Sequence, residues 1–377
     1  MQANTHILIS AEHNINVGNW SLSGDGWSVI KYSLHGGFQE GVELIEIDNG
    51  VLVITIIPTR GMNVMSVRSK NITLGWDSPV KEIVHPRNVN LTINNGLGWL
   101  DSFNEWMVRG GIEYSGHPGD DNGRLLTLHG RIAHIPASEV SVTISGDSRQ
   151  QITLKGVVRE SSFKGVQFVM ETKLTTDVGS MTFLFDDKVT NKASNEKEFQ
   201  ILYHANFAKQ LLEEGSRLHG TVDEIQPFND YAAMTLKSWN VYAPPAEEWV
   251  DEKIYQIKPF ADSEGRAHFL LQNAAGDKAV SFNYNLDNLP YFSQWKNEDS
   301  IANGYVTGLE PGNTFPANRA HERKKGRIPK LKGGESAEYH LVYTLHDTKS
   351  DVNSAISKID KLNAGKRITY VEQPEKK

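Results

Sequence analysis

Three short stretches set groups able to carry protons beside apolar residues. They are 308-GLEPGNTFPANRA-320 with Glu310, 202-LYHANFAKQLL-212 with His204, and 128-LHGRIAHIPA-137 with His129. A carboxylate suits a general base, and an imidazole that titrates near neutrality suits a general acid. Taken singly, each histidine reads first as a strand-end residue with ordinary hydrogen bonds, since β proteins hold many. Glu310 follows the apolar Val306 and Leu309 and precedes a Pro/Gly/Asn turn. That places it either at the polar end of a plain strand or aimed into a pocket.

The elements that must position these groups are β-strands. Period-two alternation rich in Val, Ile, Thr and Phe runs through 43–58, 151–162, 166–191, 266–285 and 337–347. Turn residues such as Asp48-Asn49-Gly50 and Asp177-Val178-Gly179-Ser180 divide the runs at hairpin spacing. Strands fall on both sides of the midpoint, with no Ser/Gly/Pro-rich linker between them. We therefore expect an all-β fold, a large antiparallel sandwich with few short helices. It would form one body over residues 1–365, its core at about 25–347, followed by a polar tail at 366–377 that frays. One helix is predicted over 348–365, capped by Ser or Asp and ended by Gly365, with Val352, Ile356, Ile359 and Leu362 on one face. The segment 76–131 is dense in Gly, Asn, Asp, Pro and Trp and lacks periodicity. Its Trp99 and Trp106 argue for order, so it reads as irregular and pocket-forming.

Composition excludes several classes. The 377 residues carry 46 acids against 39 bases, a net charge of −7, and no basic face with interleaved aromatics, which argues against nucleic acid. The absence of cysteine removes disulfides, thiolate metal sites and cysteine nucleophiles together. No apolar run approaches the ~20 residues that span a bilayer, and the opening residues do not read as a secretory signal, so a cytoplasmic location is expected, with no membrane partner. The two glycosylation-like triplets at Asn71 and Asn90 are then chance matches. No dinucleotide fingerprint, phosphate loop, HExxH pair or GxSxG elbow is present, and the thirteen histidines form no metal-ligand pair on a helix. No cofactor and no metal are expected. The basic run 323-RKKGRIPK-330 reads as a solvated loop, or less simply as a greeting for an anion. Oligomeric state leaves no trace in the sequence.

Together the segments resemble the galactose mutarotase (aldose 1-epimerase) superfamily. His204 in Tyr-His-Ala-Asn-Phe resembles its N-H-x-Y-F-N histidine, His129-Gly130 its H-G histidine, and Glu310-Pro311 with Pro316-Ala317-Asn318 its E-P-Q…P-D-A segment. A closer resemblance is to the DUF4432-type branch, through 58-PTRGMNV-64, 76-WDSP-79, 128-LHGRIA-133, 203-YHANF-207, 294-QWK-296 and 308-GLEPGNTFPANR-319, with Gly326-Arg327 and Gly334-Glu335 following. It covers most of residues 40–345. Two departures stand out: Arg109-Gly110-Gly111 replaces a Thr-Cys-Gly-type segment, and Phe207-Ala208 replaces Phe-Gly. No counterpart stands out for the acidic residue with which many mutarotases hold sugar hydroxyls.

The resemblance implies a mutarotase-like supersandwich and a cofactor-free isomerase that interconverts the anomers of a monosaccharide or sugar derivative. Such a reaction opens the C1–O5 bond. A base removes the C1 hydroxyl proton, an acid protonates the ring oxygen, and the two reverse roles after rotation about C1–C2. The resemblance assigns Glu310 as base and His204 as acid. His129 and Arg131 would donate hydrogen bonds to sugar oxygens. Arg60, in a turn after VLVITII, would do likewise or bind a carboxylate or phosphate. Trp295 would offer a flat wall to a pyranose face, with Gln294 beside it. If the tripeptide lies on a strand, Gln294 and Lys296 point away from Trp295, so at most one side meets ligand. Asn206, Asn313 and Arg319 complete the candidate contacts. Two other readings stand: a non-catalytic sugar-binding or sensor protein, and an epimerase or lyase acting on an oxidised or uronic sugar held by Arg60, Arg109 and Arg131.

Overall fold

The structure is a computed structural model that describes residues 4–146 and 150–375. Two large sheets face each other. One has thirteen strands. On one side of its middle lie Val306–Gly312, Tyr291–Asn297, Lys253–Pro259, Val222–Pro227 and Thr369–Tyr370; on the other lie Gln200–Phe207, Met107–Ile112, Asn63–Arg68 and the strands preceding it. The second sheet has ten strands, and its centre is the run of hairpins Glu139–Ser145, Gln151–Ser161, Gln167–Asp177 and Thr182–Asn191, followed by Ser336–His346. Every periodic segment singled out in the sequence is a strand or a hairpin. The core lies between the sheets, where Val29, Ile45, Ile54 and Val64 of one meet Leu154, Phe168, Phe183 and Tyr343 of the other. Side chains of opposite parity point away from this core, and the site is built on those.

The predicted helix is Lys349–Asn363, with Thr348 as its cap accepting from the Asp351 amide and with Val352, Ala355 and Ile359 buried. Three expectations are corrected. The core begins before residue 25, since Asn4–Ser10 pairs with Glu139–Ser145 and buries Leu8 and Ile9. The tail is held over its described residues, 366–375: Thr369–Tyr370 adds a parallel strand, and Glu375 pairs with Arg327 and Lys325. The basic run is not a solvated loop, because Arg323 pairs with Asp121 and Glu198 while Arg327 also holds Glu322. Within the irregular segment a central strand went unseen. Met107–Ile112 is buried along its whole length, and its glycines broke the β pattern. They are there because chains approach closely: a Cβ on Gly111, whose φ is +134°, would lie 2.3 Å from the Gln200 carbonyl oxygen. Among the described residues no helix is long and apolar enough to cross a membrane.

Candidate active site

The strands Gln200–Phe207 and Val306–Gly312 are antiparallel neighbours, with Ala205 opposite Leu309 and Asn206 opposite Gly308. This register sets His204 across from Glu310 on the face turned from the core. Residues facing each other this way have Cβ atoms about 5 Å apart, so their side chains must interact. His204 Nε2 lies 3.2 Å from Glu310 Oε1. The next strand places Trp295 opposite Gly308, and the strand beyond places Ile254 opposite Trp295.

Gly308 is the floor beneath the pair. A Cβ there would lie 2.3 Å from Glu310 Oε1 and 3.1 Å from both His204 Cε1 and the Trp295 ring. Only glycine leaves the carboxylate and imidazole room to meet.

The irregular segment supplies the walls. Trp99 and Phe103 pack at a tilt with ring centres 4.7 Å apart, Phe103 meets the His204 ring edge-on at 5.2 Å, and Trp295 meets that ring at 5.6 Å. His129 stands 5.4 Å from His204 and 4.9 Å from Trp99. Its backbone has φ +51°, a left-handed conformation that costs a non-glycine residue about 1 kcal/mol or more. Two backbone bonds hold it there, from the His129 amide to the Gly116 carbonyl and from the Gly111 amide to the His129 carbonyl. The cavity measures about 150 Å³, the scale of one sugar ring.

Burial sets the electrostatics. Desolvation and the neighbouring Glu252 carboxylate push Glu310 well above the ordinary carboxylate range. Desolvation draws His204 down to about 4, opposed by the Asn206 carboxamide two residues along the same strand face. His129 falls well below its ordinary value, through burial and through His204 and His117 beside it. Both shifts run against charge separation: burial favours the neutral carboxyl of Glu310 and the neutral imidazole of His204. Glu310 Oε1, His204 Nδ1 and His129 Nδ1 are buried with no hydrogen-bond partner, so the 3.2 Å contact is close but not aligned. Buried polar atoms left this way are costly in a purely structural setting.

The structure brings Glu310, His204, His129 and Trp295 to one cavity. It places the other sequence candidates elsewhere. Arg60 is buried against Glu105 at 2.6 Å and donates to the Ser102 carbonyl, and so braces the irregular segment. Arg131 is tied to Glu160 at 3.2 Å and Glu113 at 3.8 Å. Arg109 crosses the core to Asp187 at 2.5 Å. With all three held by carboxylates, the arginine clamp for a uronic sugar is not present. Gln294, opposite in parity to Trp295, donates to the Tyr242 hydroxyl on the core side. Asn313 accepts from the Ile201 amide and ties the strands of His204 and Glu310 together. Arg319 bonds Glu198 at 3.0 Å, on a helix outside the cavity wall. Asn206 donates to the Glu105 carbonyl and bears on the His204 ring rather than lining the cavity.

Sequence reasoning missed His117 and Glu252, which both line the cavity. His117 stacks flat on Phe228 at 5.5 Å, and Glu252 Oε2 accepts from the Trp295 indole at 2.6 Å. Glu252 stands among Glu247, Glu248 and Asp251 in a turn-rich stretch, where nothing in the residue pattern separates it from surface acids.

Residues 39–345 match the profile of DUF4432, a domain of unknown function. A solved structure from Klebsiella pneumoniae, provisionally described as an aldose 1-epimerase, is 39% identical, covers 100% of both chains and superposes with a TM-score of 0.97. A galactose mutarotase-like protein from Clostridium acetobutylicum shares the fold at 13% identity, with a TM-score of 0.56 over 86% of this chain and 100% of its own. A galactose mutarotase related enzyme from Lactobacillus acidophilus does so at 12% identity and a TM-score of 0.53, over 81% of this chain and 98% of its own. No functionally curated protein matches the chain.

Proposed function

This chain belongs to the DUF4432 family, and from its paired His204 and Glu310 we propose that it is an aldose 1-epimerase-like isomerase, interconverting the anomers of a free monosaccharide. One observation carries the reading: an imidazole and a carboxyl 3.2 Å apart, buried and short of partners, in the lining of a sugar-sized cavity. A binding protein has no need of such a pair, whereas ring opening needs both members.

The raised Glu310 and lowered His204 favour a proton on the carboxyl at rest. Its transfer to His204 as sugar enters gives a carboxylate base beside an imidazolium acid. Glu310 then takes the C1 hydroxyl proton, His204 protonates O5, the C1–O5 bond breaks and C1 becomes an aldehyde. Rotation about C1–C2 presents its other face. O5 then attacks C1 and returns its proton to His204, while the new C1 oxygen recovers the proton from Glu310. Each proton transfer supplies roughly 10²–10⁴-fold. Trp295 and Phe103 offer flat apolar walls to the ring, and His129, His117 and Glu252 offer hydrogen bonds to its hydroxyls.

The test is anomer exchange, followed by NMR or polarimetry across a panel of aldoses. Wild type should exchange at least one sugar, and Glu310→Gln and His204→Ala should each lose roughly 10²-fold or more in kcat. Full activity in both variants, or tight binding without exchange in the wild type, would overturn the assignment.

A further inference from the structure

Resting on the sugar reading, we infer that the cavity takes a neutral deoxy sugar, a ring in which a hydroxyl is replaced by hydrogen or a hydroxymethyl by methyl. The first ground is charge. The described residues lining the cavity include the carboxyls of Glu252 and Glu310 and no lysine or arginine. The nearby arginines are already held by Glu105, Asp187, Glu113 and Glu160. A phosphate or carboxylate on the sugar would enter with no cation to meet it.

The second ground is hydrogen-bond accounting. A hexopyranose seated with C1 and O5 on the catalytic pair still brings four hydroxyl protons. Beyond the catalytic pair, the lining side chains with acceptor atoms are Glu252, His117 and His129, and they are outnumbered by apolar ones. Glu252 already accepts from Trp295, and the Trp99 indole can only donate. The rest of the wall is apolar, with Phe103, Leu128, Ile254, Leu97 and Leu100 among its members. A hydroxyl buried against these without a partner costs ~1–3 kcal/mol, whereas a methyl gains from the same contact.

The third ground is the rim. Hydroxyls left short of partners inside could turn toward the mouth, but the most exposed lining residues are Leu97 and Leu100, at 37% and 44%, with His117, Glu252 and Trp295 only partly exposed. Leucines held half in water at the entrance of a sugar-sized cavity fit an apolar edge on the ligand.

The experiment compares matched pairs on the full chain: 6-deoxyhexoses with their parent hexoses (fucose with galactose, rhamnose with mannose) and 2-deoxyglucose with glucose. Glucuronate and glucose 6-phosphate serve as anionic probes. Binding is read by titration calorimetry on wild type and Glu310→Gln, and exchange by NMR on wild type. One deoxy sugar should bind about fivefold or more tighter than its parent, matching the lower end of an unpaired-hydroxyl cost. Leu100→Asn, at an exposed position that tolerates a polar group, should bring that ratio toward parity. Parents binding as well as or better than every deoxy partner, an anionic sugar binding best, or no probe binding would each overturn the inference. A deoxy sugar that binds preferentially without exchanging anomers would instead sink the isomerase reading and leave this one standing.

Discussion

Residues 203 and 204 are adjacent on one strand, yet they belong to two buried ionisable clusters with opposite characters. Tyr203 points into the core. Its hydroxyl donates to Asp187 at 2.9 Å, and Arg109 meets the same carboxylate at 2.5 and 3.1 Å while also bonding Thr172 and the Met62 carbonyl. Every charge in that cluster is matched, and it bridges the two sheets. His204 points the other way, to Glu310, in a setting where Glu310 Oε1 and two imidazole nitrogens have no partner. Burial is nearly equal on the two faces. The difference is satisfaction. A buried charge network that is complete holds a fold in register, whereas one left incomplete at a cavity keeps its bonding capacity for something that enters.

Three substitutions would break or sharpen that contrast. The largest effect is expected from Asp187→Asn. It leaves Arg109 charged and buried beside a neutral amide, which costs about 3–5 kcal/mol. The melting temperature should fall by on the order of 10 °C, with anomer exchange per folded molecule retained. A loss of exchange in a folded Asp187→Asn protein would mean that the two faces are coupled rather than separate.

Gly308→Ala acts on the other face. The added methyl would crowd Glu310 Oε1 and the His204 ring, and a misplacement of about 1 Å at a reacting group costs up to ~10²-fold. We expect kcat to fall about 10- to 100-fold with little change in melting temperature. Unchanged kinetics would show that the carboxyl does not work from the position described.

Apart from its loss of kcat, Glu310→Gln should have a small effect on stability, opposite in sign to that of Asp187→Asn. A carboxyl whose folded-state pKa is raised by burial contributes stability that is full below its unfolded value, near 4.5, and lost as pH rises through the folded value. Glutamine removes that loss. The variant should therefore melt about 1–3 °C above wild type at pH 8, and the gap should close as pH falls toward 4.5. A gap independent of pH would argue against a raised carboxyl. His204 contributes in the reverse direction, since its folded value of about 4 lies below the ordinary 6.5. Its share of stability is present above pH 6.5 and lost as pH falls toward 4.

The fold was legible because alternation is a local signal. Segments 151–162 and 166–191 announced their strands, and Thr348 to Gly365 announced the helix, by residue types a few positions apart. Met107–Ile112 was not legible: its Arg-Gly-Gly sequence answers to the Gln200 carbonyl and the His129 loop, which are distant in the chain. Arg60 and Arg131 misled for the same kind of reason. An arginine in a turn looks available until the carboxylates that hold it, Glu105 and Glu160, are seen.

The sequence by itself determined a two-sheet β body, through short-range period, and named the acid–base candidates through its resemblance to the mutarotase superfamily. Tertiary structure decided the rest. Register set His204 against Glu310, parity sent Trp295 to the cavity and Gln294 to the core, and folding brought His117 and Glu252 to a wall no spacing had marked. The physical reason is that a strand's pattern fixes which residues share a face, while only pairing between strands fixes what that face meets.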